Sequence, residues 1–376
     1  MFLGEHCVRL GNAGTHHKQE PYRDMMYKMP SKSFARPLFC AVAAATTGFA
    51  AISALSLSQP AQAETLQRIF SPPTAAERQA LLDSWAEPMA PASNWQVLDS
   101  FEDAEYRLDI VSQQVEGNQH FSAVRTPENY RPGQPAPILV LNHGGWEGIE
   151  ADWALEYDHD CLADFFVLVP SFRGEELRVY EESYKSTGEK SLIDRDVIDV
   201  MALISGVIEN YPGAQPTDIS AWGYSRGGGT SLMLGVRDPR VDRVINVFGP
   251  TDVLTYPDML SGVVSHLRGE EIGPFYSLPG AFVQRYYDGE TSFNQLRQQL
   301  LGGSALHFAD LMPERVQIHH GVRDTIVPVE NGRALAEALQ HRSDMIVNEY
   351  HEYFFGGHGP LRGLDQRAIR MLCDDR

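Results

Sequence analysis

The stretch that decides the fold runs Asp218-Ile219-Ser220-Ala221-Trp222-Gly223-Tyr224-Ser225-Arg226-Gly227-Gly228-Gly229. Its first five residues predict a short strand, and the apolar spacing over Gly227–Val236 predicts a helix directly behind it. A serine between glycines at Gly223-x-Ser225-x-Gly227, at a strand-to-helix turn, has a steric reason. The serine backbone is bent into a strained turn, and bulk at either flanking position collides with the neighbouring strand or helix. The helix behind it points its positive end at the serine and favours negative charge developing there. The five-residue pattern is weak by itself; its place between strand and helix gives it weight.

Outward from this stretch the pattern repeats. Pro137–Leu141, Phe165–Pro170, Val241–Phe248, Val316–His320 and Met345–His351 are short apolar runs, as expected of strands buried on both faces. Helical spacing falls over Trp153–Ala163, Leu192–Glu209, Asn331–Leu339 and Leu361–Leu372. Upstream, Tyr106–Val115 and Gln119–Arg125 read as an antiparallel pair around Glu116-Gly117-Asn118. The alternation predicts an α/β protein, a mostly parallel sheet with helices on both faces. Leu254–Leu301, with Pro257, Pro274 and Pro279, breaks the rhythm after the sixth strand. It reads as a mostly helical, cap-like insertion that would cover a pocket.

In such sheets ligands sit beyond the carboxyl ends of the strands. Behind Val316–His320 comes Gly321-Val322-Arg323-Asp324, and behind Met345–His351 comes Gly356-Gly357-His358-Gly359. The chain order Ser225, Asp324, His358 is that of an α/β-hydrolase. Ser225 needs a base to become a nucleophile, His358 titrates in the right range to be that base, and Asp324 would fix its tautomer. Asp310 and Asp344 are rivals for the acid. Behind Pro137–Leu141, Asn142-His143-Gly144-Gly145-Trp146 reads as an oxyanion loop. The Arg226 N–H is one expected donor, and Gly145, with Trp146 as the alternative, the second. His143 is expected to orient the loop. Trp146, Tyr224 and Phe172 are candidate substrate contacts, and Arg173 reads as a structural arginine bonding loop carbonyls. His319, His320 and His351 lie within strands and read as core or supporting groups.

The chain has 376 residues, 43% of them hydrophobic, and a formal net charge of −19. The acid excess argues against nucleic acid and anionic membrane surfaces as partners. Residues 1–63 hold six basic and three acidic side chains, leaving 25 basic against 47 acidic in the remainder. Met29–Arg36 is basic, Pro37–Leu57 is uncharged and apolar, and Ala61-Gln62-Ala63 closes the run. That is the pattern of a secretory signal peptide over residues 29–63, cleaved after Ala63. Periplasmic or secreted placement is expected, with no stable membrane association once the signal is removed. Residues 64–100 form an N-terminal extension, with a capping box at Thr74-Ala-Ala-Glu77 opening a short helix. Residues 101–376 form the catalytic domain. Cys161 and Cys373 remain in the mature part, where export implies an oxidising compartment; one bridge would tie the C-terminus to the body, and two unrelated thiols are the favoured reading, because spacing shows no proximity. No metal-ligand spacing, P-loop or dinucleotide fingerprint stands in the sequence, so neither metal nor cofactor is expected.

Taken together these residues resemble the catalytic domain of the prolyl oligopeptidase family of serine hydrolases. The likeness rests on His143-Gly144-Gly145, Phe172-Arg173-Gly174, Gly223-x-Ser225-x-Gly227-Gly228, Ser304-Ala-Leu-His307, His320-Gly321-x-x-Asp324-x-x-Val327-Pro328 and Gly357-His358-Gly359. It covers about residues 101–376, and dienelactone-hydrolase-like and acetyl-xylan-esterase-like branches share much of it. The resemblance implies an exported hydrolase cleaving a small ester or peptide bond through an acyl-enzyme. Family peptidases usually carry a β-propeller before this domain, and residues 64–100 are too few for one blade. A propeller-free peptidase is therefore one expectation and a carboxylesterase the alternative. A non-catalytic binding protein is a distant third, since such proteins typically lose a triad member. Arg226 and Pro360 stand where aromatics are frequent in the family, a departure that bears on its leaving-group and substrate preferences and leaves the triad untouched.

Overall fold

The computed structural model describes residues 59–86, 92–102, 106–152 and 161–373. The basic and apolar parts of the expected leader lie outside these residues, as does most of the expected helix Trp153–Ala163. The strands are β1 (Ser93–Glu102), β2 (Arg107–Val115), β3 (Asn118–Arg125), β4 (Ala136–Asn142), β5 (Ile149–Glu150) and β6 (Phe166–Pro170). They continue with β7 (Glu176–Val179), β8 (Glu182–Lys185), β9 (Ala214–Tyr224), β10 (Val241–Val247), β11 (Arg315–Gly321) and β12 (Val347–Tyr353). Nine of them build one sheet in the order β1-β2-β3-β6-β4-β9-β10-β11-β12. From β6 to β12 every neighbour is parallel, and β1, β2 and β3 are joined antiparallel on one side. The fold is that of an α/β-hydrolase.

Strands β4 and β6 are apolar along nearly their whole length because each face of the sheet is covered there. In β4, Ile138 and Val140 join one hydrophobic cluster while Leu139 and Leu141 join the other, the alternation that strand geometry imposes. Helices α3 (Asp194–Asn210) and α4 (Arg226–Arg237) fill the first face through Val197, Val200, Leu203, Leu232 and Met233. The final helix, Leu364–Cys373, fills the second through Leu364, Ala368, Met371 and Leu372. The chain steps from β4 outward to β6 and then back past it to β9. The crevice of the sheet therefore opens between the carboxyl ends of β4 and β9.

The β2–β3 hairpin turns at Glu116 and Gly117, both with positive φ (49° and 77°), and Val115 already pairs with Asn118. The expected turn is thus one residue shorter, with Asn118 in the strand. β1 runs through the expected boundary between residues 100 and 101 and pairs with β2 along most of its length. Its burial shows why no strand was read there: nearly every residue is exposed, Val97 and Leu98 included. A small second sheet, β5-β7-β8, was likewise too short to announce itself.

The capping box forms: Thr74 N–H reaches Glu77 Oε2 at 2.8 Å and Glu77 N–H reaches Thr74 Oγ1 at 3.1 Å, opening the helix Ala75–Ala86. The insertion is helical at Met259–Leu267, Pro274–Tyr287 and Phe293–Gly302. It packs into the first cluster through Met259, Val263, Phe282, Val283 and Leu296. Arg297 ties it to the N-terminal segment, bonding both Glu77 oxygens and the carbonyls of Ile69 and Ser71. That partner holds the Glu77 carboxyl down at about 2.

The reading of Cys161 and Cys373 as unrelated thiols is corrected. They form a disulfide, their Cα atoms 6.2 Å apart across 212 residues. The fold brings the segment before β6 beside the last helix. Among the described residues no helix is long and apolar enough to cross a membrane.

Candidate active site

Ser225 stands between β9 and α4 with φ 54° and ψ −125°, a left-handed conformation that a non-glycine residue adopts only when its surroundings impose it. The surroundings here are close-packed backbone. A Cβ on Gly223 would lie 2.0 Å from the Gly227 carbonyl oxygen, and one on Gly227 would lie 2.1 Å from that of Asn142. The Ser225 N–H is held by the Val247 carbonyl at 2.9 Å, and the Ser225 carbonyl accepts from Gly228 N–H at 2.8 Å. The hydroxyl is thus presented at the carboxyl edge of the sheet with a helix N-terminus behind it.

His358 spans the distance to the acid. Its Nε2 lies 2.8 Å from Ser225 Oγ and its Nδ1 2.7 Å from Asp324 Oδ2. A carboxylate only accepts, so Nδ1 carries the proton and Nε2 is free to accept from the serine. The Phe248 ring packs 4.4 Å from the imidazole, centroid to centroid. Asp324 has no exposed side chain. Its Oδ1 accepts from the N–H groups of Ile326 (2.8 Å) and Val327 (2.9 Å). Burial works to raise its pKa, but hydrogen bonding from His320 and His358 prevails and lowers it to about 2. His320 donates at 2.9 Å to the Val327 carbonyl and lies 3.5 Å from the Asp324 carboxylate. The rival acids are engaged elsewhere, Asp310 by Arg78 and Asp344 by Arg342.

The loop behind β4 lies against the serine: a Cβ on Gly144 would stand 2.9 Å from Ser225 Cβ. His143 is buried, stacks on Phe172 at 4.3 Å and bonds the Gly144 carbonyl through Nδ1 at 2.9 Å. Burial lowers its pKa to about 4, so the ring is neutral at pH 7. It therefore stiffens the loop from below. Trp146 is half-buried, its ring 4.0 Å from the Arg226 guanidinium.

Two expected substrate contacts are corrected. Phe172 is wholly buried, pressed between His143 and Arg226, and supports the loop instead of facing the crevice. Tyr224 is 6% exposed and packs on Trp222 and Phe248. Arg173 bonds Asp199 in bidentate fashion (2.8 and 2.7 Å) and Glu116 at 2.9 Å. Its partners are carboxylates, not the loop carbonyls expected of it. His319 faces away from the site, bonded to Gln317 and Tyr353.

Three groups escaped sequence reasoning. Glu175 and Asp196 are buried beneath the loop and bond the Arg226 guanidinium at 2.6 and 3.2 Å. Lys190 bonds the Trp146 carbonyl. Glu175 carried a signal, standing just past the end of β6, where chemistry gathers in this architecture. Lys190 also lines a cleft of about 540 Å³ between the 188–195 segment and Phe282 and Arg285 of the insertion. Ser225, Asp324 and His358 do not line that cleft. Among the described residues no group of three or more His, Cys, Asp and Glu is placed to hold a metal ion.

Comparison with known proteins adds a family. Residues 161–370 match the prolyl oligopeptidase family. Among solved structures, acetyl xylan esterase 1 from Thermoanaerobacterium sp. JW/SL YS485 is 16% identical with a TM-score of 0.57, covering 82% of this chain and 97% of its own. An acetyl xylan esterase from Paenibacillus sp. R4 is also 16% identical, with a TM-score of 0.56 over 82% of this chain and 98% of its own. Porphyromonas gingivalis dipeptidyl peptidase 4 is 17% identical, with a TM-score of 0.48 over 73% of this chain and 43% of its own. No curated protein matches the chain.

Proposed function

The chain belongs to the prolyl oligopeptidase family and is a serine hydrolase, an esterase or peptidase; from that premise we propose that it cleaves small esters through an acyl-enzyme on Ser225, with His358 and Asp324 completing the triad. The observation that carries this reading is the continuous hydrogen-bond chain from Ser225 Oγ through both ring nitrogens of His358 to Asp324.

In the first step Ser225 Oγ forms a bond to the acyl carbon while its proton passes to His358 Nε2. The imidazolium is stabilised by the charged Asp324. The carbonyl oxygen becomes an oxyanion, met by the Arg226 N–H and by that of Gly145, with Trp146 as the other candidate. Such donors are worth about 3 kcal/mol each in the transition state. The intermediate collapses as the bond to the leaving oxygen breaks, and that oxygen takes the proton from His358. Water then gives a proton to His358 and attacks the acyl carbon. Ser225 leaves with that proton, releasing the acid.

Ester substrates are favoured by the two acetyl xylan esterases whose lengths this chain matches nearly in full; short amides are the second reading. Export to an oxidising compartment belongs to the same proposal, supported by the Cys161–Cys373 bond. The test is labelling of folded protein with a fluorophosphonate, together with turnover of p-nitrophenyl esters and aminoacyl anilides. Labelling at Ser225, and loss of about 10⁵-fold or more in kcat for Ser225→Ala, is expected. Retained turnover in that variant would overturn the assignment.

A further inference from the structure

The acyl transfer described above uses only the backbone N–H of Arg226, yet its side chain is among the most engaged in the molecule. The residue is 4% exposed. Its Nη1 bonds Glu175 Oε1 at 2.6 Å and the Gly145 carbonyl at 2.8 Å, and its Nε lies 3.2 Å from Asp196 Oδ2. The guanidinium plane is covered by the Trp146 ring at 4.0 Å and the Phe172 ring at 4.5 Å. One cation therefore joins two buried carboxylates, on the segment after β6 and on α3, to the loop beside the nucleophile.

A peptide unit is planar and trans, so its C=O and its N–H point in opposite directions. Holding a carbonyl therefore aims the next residue's N–H. Three successive carbonyls of this loop are held: Gly144 by His143 Nδ1 at 2.9 Å, Gly145 by Arg226 Nη1 at 2.8 Å, and Trp146 by Lys190. The first aims the Gly145 N–H and the second aims the Trp146 N–H, the two groups from which the second oxyanion donor is drawn.

We propose that the Arg226 side chain is a positioning residue for oxyanion stabilisation: anchored on Glu175 and Asp196, it fixes the Gly145–Trp146 peptide of the loop that lies against the nucleophile. The proposal rests on the serine-hydrolase reading of Ser225. Arg226 thus acts twice on the same charge, directly through its N–H and indirectly through its guanidinium. A lysine could not replace it, because one ammonium cannot span Asp196, reached through Nε, together with Glu175 and the Gly145 carbonyl, reached through Nη1, nor lie flat against aromatic rings.

The test compares Arg226→Met and Arg226→Lys with the wild-type protein on p-nitrophenyl acetate and with an aryl trifluoromethyl ketone. The ketone adds to the serine and presents an oxyanion, so its affinity reports the oxyanion donors and not ground-state binding. Expected is a loss of about 100-fold in kcat, the scale of a small misplacement at a reacting centre, with KM nearly unchanged. Inhibitor affinity should fall in step with kcat/KM, and lysine should not restore it. Should Arg226→Met fail to fold because Glu175 is left charged and buried, the double variant Glu175→Gln/Arg226→Met removes that cause and is read the same way. A rise in KM with kcat retained, or wild-type inhibitor affinity in the folded variants, would overturn the proposal. Fluorophosphonate labelling of Ser225 in the wild-type protein separates the two failures: its absence breaks the serine-hydrolase reading, while its presence with unaffected Arg226 variants breaks only this one.

Discussion

Two loops flank Ser225, and they are held by opposite means. The segment of Asp324 and His358 is fixed by its own backbone: Arg323 N–H bonds the Gly356 carbonyl at 2.8 Å, Val322 N–H that of Tyr353 at 3.0 Å, and Asp324 Oδ1 takes two more N–H groups. The proposed oxyanion loop is fixed by side chains reaching its carbonyls, His143 from within the loop and Arg226 and Lys190 from other segments. The first arrangement consists largely of backbone bonds between the segments that follow β11 and β12. The second draws on residues from four segments and buries charge to do it, a construction whose removal leaves unpaired carboxylates behind. The acids of the two regions differ accordingly. Asp324 is held at about 2 by its hydrogen bonds in spite of burial, while burial raises Asp196 to about 8 in spite of Arg226.

The largest effect that tests this contrast is on the backbone-held side. Asp324→Asn should leave the frame intact and lower kcat by about 10⁴-fold, through the wrong histidine tautomer; p-nitrophenyl ester kinetics alongside an unchanged circular dichroism spectrum would check it. A loss of fold in this variant would break the claim that the loop's backbone suffices. On the other side, Gly144→Ala would put a methyl group 2.9 Å from Ser225 Cβ and 3.0 Å from the Tyr224 carbonyl oxygen. The loop must then move off the serine against its anchors, and kcat/KM should fall roughly 10- to 100-fold. Wild-type rates would mean that the loop yields freely and is not held as described.

The smallest effect separates the two acids by pH. Asp196 has a folded pKa of about 8 against about 3.9 unfolded. The folded state therefore binds the proton more tightly, and wild-type stability declines as pH rises from about 4 to 8, relative to Asp196→Asn. Asp324 has the opposite sign: its lowered pKa adds stability above about 4 that is lost as pH falls towards 2. Melting temperatures of Asp196→Asn and wild-type protein across pH 5–9 check the first statement. Parallel curves would erase the difference between the regions.

The same contrast explains what was legible in the sequence. The runs Pro137–Leu141 and Phe165–Pro170 announced buried strands because burial on both faces leaves only apolar residues. The glycines around Ser225 announced the turn because nothing larger fits within 2.1 Å of neighbouring carbonyl oxygens. Asp324 and His358 were found because each follows such a run. Lys190 and Asp196 act on the loop only through folded proximity, so no local spacing marks them. The Cys161–Cys373 bond hid for the same reason. Phe172 was misplaced because an aromatic after a strand reads alike whether it faces a crevice or lies beneath a loop. β1 was missed because, exposed on nearly every residue, it lacks the alternation that burial on one face writes into a strand.

That strand has a consequence for the molecule in solution. Among the described residues no strand pairs with the far side of β1, which ends the sheet beside Val97 and Leu98 at 49% and 43% exposure. A regular edge of that kind is a template on which a second molecule could extend the sheet. Its register against β2 slips twice, between Ser93 and Gln96 and again between Val97 and Asp99. Such irregularities bend a strand and interrupt the even spacing that an incoming strand would need. The kinks in β1 thus make this edge a poorer template for a second strand than an evenly spaced edge would be.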